Sequence, residues 1–181
     1  MKIIQKPSTH FDERKSKIDM IVFHATATNS IEETLAIFIE KEDDSRVSSH
    51  YVIDRDGTIY QVVAEDKRAW HAGVSCWGDI QEDINSHSIG IEFQCPATGD
   101  KTFADFSSHQ IEAGVKLCAD IMKRYQIKPE NVVAHSDIAP DRKFDPGVTF
   151  PWEIFCNLGL AVNPIRRPII DKNGTEVKKR I

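Results

Sequence analysis

The stretch "IDMIVFHATAT", residues 18–28, constrains the fold more than any other. Its short apolar run, closed by small hydroxyl residues, reads as a buried strand that carries His24 to its C-terminal end. "SIGIEFQC" (88–95) predicts a second strand, in which Ile89, Ile91 and Phe93 alternate with Gly90, Glu92 and Gln94, so that Glu92 points away from the apolar set. "NVVAH", ending at His135, predicts a third, and "SHYVIDRDGTIYQVV" a hairpin turning at Asp56-Gly57. Between them lie helix signals. Ser30 with Glu33 makes a capping-box pattern ahead of Ile31, Leu35, Phe38 and Ile39, giving a helix over about 30–41. Ser107 with Gln110 opens a longer one to about Gln126, with Ile111, Val115, Cys118, Met122 and Tyr125 on its apolar stripe. "FPWEIFCNL" predicts a short helix with Pro151 near its first turn. Strands and helices thus alternate in part, with one hairpin interrupting them. This pattern predicts an α/β domain: a central mixed β-sheet of five to six strands flanked by helices.

A chain of 181 residues, 40% hydrophobic and 28% charged, is large enough for one self-sufficient core. Its net charge of −5 argues against non-specific nucleic-acid binding. Cys76, Cys95, Cys118 and Cys156 lie far apart with no C-x-x-C pair, so free thiols are expected rather than a disulfide or thiolate-zinc framework. The N-terminus has only a three-residue apolar patch and no apolar run approaches the ~20 residues of a membrane span. A cytoplasmic protein is the expectation, with other export routes left open.

Two loops carry unusual chemistry. Residues 64–87 show no convincing periodicity and hold Trp70, His71, Gly73, Trp77 and Gly78, which reads either as a groove for a sugar ring or peptide or as a loop pinned to the core by its tryptophans. "HSDIAPDRKFDPG" (135–147) sets Asp137, Asp141 and Asp145 four residues apart, a helical spacing that Pro140 and Pro146 contradict. It is expected to be a loop delivering side chains from the end of a strand, although a solvated turn has the same composition.

His24 and His135 each stand at the end of a predicted buried strand, with Asp145 in the loop that follows. Two imidazoles and a carboxylate suit a catalytic zinc with one position left for water. A lone strand-end histidine is more often a hydrogen-bonded core residue, so the spacing by itself leaves both readings open. Glu92, if buried, is a candidate general base, and Lys143 a candidate oxyanion stabiliser; an exposed strand glutamate and a surface lysine are the plain alternatives.

"VFHATAT", "SSHYVIDRDGTIYQ", "AWHAG", "NSHSIGIEFQ" and "VVAHSDIAPDRKFDPG", in this order, resemble the zinc-dependent N-acetylmuramoyl-L-alanine amidases of the amidase type 2 family. The resemblance spans about residues 18–158 and is nearest to the cytoplasmic AmpD-like bacterial branch, whose fold is shared with peptidoglycan recognition proteins and phage lysozyme-type amidases. It implies one zinc ion held by His24, His135 and Asp145, Glu92 as the group that activates water, and Lys143 as the group that stabilises the oxyanion. It implies hydrolysis of the amide between muramic acid, in its 1,6-anhydro form or not, and L-alanine of the stem peptide. His50 and the Trp70-His71-Ala72-Gly73 stretch match positions near the substrate, and Arg142 is a bidentate candidate for a peptide carboxylate. Departures from the family pattern at Ala25 and Phe144 bear on substrate preference more than on catalysis. A non-catalytic muropeptide-binding module of the same fold, or a zinc peptidase, is the alternative; such modules commonly lose a ligand, and here every ligand position is filled. The expected boundaries are an N-terminal extension over 1–17, a catalytic domain over 18–160 and a basic, solvated tail over 161–181.

Overall fold

A computed structural model of the chain describes residues 2–99 and 101–162, and the backbone of 169–170 and 176–177. The chain begins with β1 (Ile3–Gln5), β2 (Phe11–Glu13), β3 (Met20–Ala25), α1 (Ile31–Ile39), β4 (Tyr51–Ile53), β5 (Ile59–Gln61) and β6 (Lys67–Ala69). There follow α2 (Ile84–His87), β7 (Ser88–Phe93), β8 (Ala97–Gly99), β9 (Thr102–Phe103) and α3 (Ser108–Tyr125). The remainder is β10 (Val132–Ala134), α4 (His135–Ile138), α5 (Trp152–Asn157), β11 (Ile169–Ile170) and β12 (Glu176–Val177).

Six strands form the central sheet in the order β1-β5-β4-β7-β3-β10, antiparallel only between β4 and β5, the two arms of the Asp56-Gly57 hairpin. The mixed sheet is the one the sequence predicts. Both helices start as their capping residues require: Ser30 Oγ accepts from the Glu33 amide at 3.2 Å and Ser107 Oγ from the Gln110 amide at 3.1 Å.

Alternation along the strands separates two buried layers. Ile21, Phe23, Ile89, Ile91 and Phe93 face α3, whose Ile111, Leu117, Cys118 and Ile121 complete the main core. Met20, Val22 and Val133 face the other way and pack on Ala72, Ile84 and Ile138. The 64–87 segment therefore has a packing role, as the cover over the second face of the sheet. The buried stripe of α3 is rotated from the predicted one toward Gly114, Leu117 and Ile121. Gly114 explains the rotation, because a Cβ there would lie 2.6 Å from Phe93 Cε1, so the helix sits on the sheet at its glycine.

Three expectations change. Residues 1–17 are not an extension outside the fold: β1 is an edge strand of the central sheet, β2 pairs with β6, and Arg14 donates to the carbonyls of Glu65, Lys67, Asn85, Ser86 and Ser88. The 64–87 segment contains β6 and one turn of helix, α2. The 135–147 loop opens with a helical turn, α4, because Pro140 lies just beyond it and removes no amide from it. The basic tail, from residue 163 on, lies outside the described residues apart from the backbone of β11 and β12, which pair antiparallel. No described helix is long and apolar enough to cross a membrane.

Candidate metal centre

β7, β3 and β10 are adjacent and parallel, so their carboxyl ends open on one edge of the sheet, where α/β proteins form their clefts. His24 is the fifth residue of β3, Glu92 is its partner in register on β7, and His135 follows the last residue of β10. All three emerge there. Asp145 returns to the same edge through the proline-bent loop, tied by the Ser136 amide donating to its carbonyl at 3.0 Å. Asp137 braces the loop start, its Oδ2 accepting from the Ala134 amide at 2.9 Å.

The two histidines and Asp145 converge on one point. His24 Nδ1 lies 2.9 Å from His135 Nδ1 and 3.0 Å from Asp145 Oδ2, and His135 Nδ1 is 3.1 Å from the same oxygen. Donors at a tetrahedral zinc with bonds of about 2.0–2.1 Å stand about 3.3 Å apart, so the triangle needs only slight opening to hold one. Its electrostatics suit a cation. His135 Nε2 must donate to the Ala72 carbonyl at 3.0 Å, which leaves Nδ1 of a neutral ring as a bare lone pair. Burial, and then His135, push His24 down to about 4, so it is neutral at pH 7. Burial by itself would raise Asp145, but contact with His135 and His24 holds it well below the usual carboxylate range, as an anion. Among the described residues this is the one group of three or more His, Cys, Asp or Glu side chains that could hold a metal ion.

Glu92 stands beside it with a buried Oε2 that has no hydrogen-bond partner. Burial first, and the Asp145 charge second, raise its pKa well above the ordinary value, while Lys143 pulls it back. The positive field of Lys143 reaches His24 as well. A carboxyl group with a raised pKa, a lysine and a candidate cation site thus share one cleft edge.

The remaining candidates divide. His71 lies behind His24, its Nδ1 3.1 Å from His24 Nε2, and the Ala72 carbonyl lies behind His135. Gly73 adopts φ +60°, and Arg142 crosses it to donate to the carbonyls of Ala72 and Val74. That use of Nε and Nη2 occupies the fork expected for a peptide carboxylate. His50 is fully buried, Nδ1 accepting from the Gly90 amide at 3.0 Å and Nε2 facing the Lys67 carbonyl and the Arg14 guanidinium. Trp70 stacks on His10 with centroids 5.9 Å apart, and its indole donates to Asp12 at 2.8 Å. Asn85 went unassigned in the sequence although it sits in the quoted "NSHSIG": its Oδ1 accepts from the amides of both His71 and Ala72, at 3.1 and 2.8 Å.

The sequence model of the N-acetylmuramoyl-L-alanine amidases matches residues 14–148. The chain is 39% identical over 179 residues to N-acetylmuramoyl-L-alanine amidase AmiD of Escherichia coli, covering 90% of this chain and 63% of that one. It is 36% identical over 166 residues to 1,6-anhydro-N-acetylmuramyl-L-alanine amidase AmpD of Salmonella typhimurium, covering 82% of this chain and 86% of that one. The solved complex of E. coli AmiD with anhydro-N-acetylmuramic acid-L-Ala-D-gamma-Glu-L-Lys superposes with a TM-score of 0.70 and 34% identity, over 89% of this chain and 70% of that one. The chain thus spans just under two thirds of the length of AmiD.

Proposed function

Because the chain belongs to the N-acetylmuramoyl-L-alanine amidase family, we propose that it hydrolyses the amide between the lactyl carbonyl of N-acetylmuramic acid and the L-alanine nitrogen of a stem peptide. Soluble muropeptides, including the 1,6-anhydro form, are the substrates proposed, since the AmpD relative carries that form in its name and the AmiD complex contains it. A cytoplasmic setting is part of the proposal. The observation that carries it is the His24, His135 and Asp145 triangle with Glu92 next to it in register.

His24, His135 and Asp145 would hold one zinc ion. Bound there, zinc supplies Lewis acidity, polarising the carbonyl and lowering the pKa of a water toward ~7. The residues do the rest. Glu92, with an unpartnered Oε2 and a raised pKa, takes a proton from the attacking water as its oxygen bonds to the carbonyl carbon. It then returns that proton to the L-alanine nitrogen as the C–N bond breaks. Lys143 stands by with positive charge for the oxyanion that forms between these steps. Arg142 stiffens the Ala72–Val74 backbone behind His135 through the carbonyls of Ala72 and Val74.

The test is product identity in ¹⁸O-water, read by mass spectrometry with anhydro-N-acetylmuramyl-tripeptide as substrate. Intact tripeptide and anhydro-N-acetylmuramic acid carrying one heavy oxygen are expected. Cleavage within the peptide would make the chain a peptidase, and binding without cleavage a recognition module.

A further inference from the structure

His24 is oriented by a hydrogen-bonded relay. The Ile84 carbonyl can only accept, so the Ser88 hydroxyl, 2.6 Å away, donates to it. Ser88 Oγ therefore receives a proton from His71 Nε2, 3.3 Å away, which makes His71 Nδ1 an acceptor. That acceptor faces His24 Nε2 at 3.1 Å, so His24 Nε2 is the donor and His24 Nδ1 is bare. The direction of each bond follows from the carbonyl at the end of the chain.

The fold makes room for this. A Cβ on Gly90 would lie 2.6 Å from His71 Cγ and 2.8 Å from Ser49 Oγ, so only glycine lets the imidazole lie across β7. Asn85 clamps the amides of His71 and Ala72 from the far side. Two consecutive residues thus back both histidines, His71 by its ring and Ala72 by its carbonyl.

We propose that His71 is a positioning residue, not a substrate-binding one: it locks His24 in the tautomer that presents Nδ1 to a metal ion. The inference rests on the zinc amidase reading for its consequence but not for its geometry. Losing a partner of this kind costs a metal site roughly 10–100-fold in affinity.

The experiment uses the full chain. Zinc affinity by competition with a chromophoric chelator, and the His24 tautomer by long-range ¹H–¹⁵N correlation in the metal-free protein, are measured for the parent, His71→Ala, His71→Asn and Ser88→Ala. His71→Ala should bind zinc roughly 10–100-fold more weakly and lose the single Nε2–H tautomer. His71→Asn, whose oxygen can stand where Nδ1 stood, should recover most of the affinity. If His71→Ala fails to fold, Ser88→Ala, which removes only the anchoring hydroxyl, should still mix the His24 tautomers and loosen zinc several-fold. Parent-like tautomer and affinity in the folded variants would overturn the proposal. A parent chain that binds no zinc would sink the metal reading alone, because the tautomer readout needs no metal.

Discussion

His24 and Glu92 are register partners on adjacent parallel strands, β3 and β7, so the imidazole and the carboxylate leave one face of the sheet side by side. Their separation is set by backbone hydrogen bonds rather than by a loop. The proposed general base therefore sits on the same sheet as the proposed metal ligand His24, and His135 is fixed by the next strand, β10.

Glu92→Gln keeps the shape of the side chain and removes the proton acceptor. Turnover should fall by ~10²–10⁴ while the variant still binds one zinc per chain. Parent-like turnover in zinc-loaded Glu92→Gln would remove Glu92 from the mechanism.

Asp145 and Asp137 belong to one loop and should behave oppositely. Asp145→Ala removes the anion from the triangle, so zinc should be lost on dialysis with the fold intact. Asp137→Ala leaves the buried Ala134 amide without its acceptor and should cost about 1–3 kcal/mol of stability while zinc stays bound. Metal analysis and urea unfolding of both variants separate the roles; zinc loss from both alike would contradict it.

Gly114→Ala sets two effects against each other. A helix interior gains about 1 kcal/mol from the exchange, but overpacking costs about 1–3 kcal/mol. The new methyl would lie 2.6 Å from Phe93 Cε1, and that ring is wedged among Phe23, Phe106 and Phe150 with centroids 5.0–6.0 Å away. The clash should win, lowering stability in urea unfolding; a more stable variant would show that α3 can shift.

Burial, and then the Arg14 charge, push His50 down to about 3. The unfolded chain takes up that proton below a pH of about 6.5, whereas the folded chain resists it, so stability is fully present above 6.5 and drains away as pH falls toward 3. At pH 5 the loss is about 2 kcal/mol. His50→Gln removes the titration, so the variant should lose less stability than the parent between pH 7 and pH 5. Equal losses would place the acid sensitivity elsewhere.

The strands that build the centre were legible because their signals are local: the apolar run before His24, the alternation around Glu92, the Asp56-Gly57 turn. Their adjacency was not, since parallel neighbours are joined by long crossovers and no spacing reveals which pair. β1 was missed for the same reason, its three residues taking meaning only from β5, which lies far along the chain. α4 was hidden by prolines that follow the turn without entering it. The proposed ligand set could be named from residue type and family resemblance, but the support behind it could not. The Ala72 carbonyl is a backbone acceptor, which leaves no trace in a sequence, and a histidine that holds another histidine reads the same as one that touches substrate.

Release of stem peptide from an anhydromuramyl tripeptide, followed by the holoenzyme before chelation, after it, and after one equivalent of zinc is restored, tests the central claim most directly. The account predicts that release stops on chelation and returns with zinc in the parent chain but not in Asp145→Ala. Release that continues in fully zinc-free protein, or zinc-loaded parent that releases nothing, would contradict it.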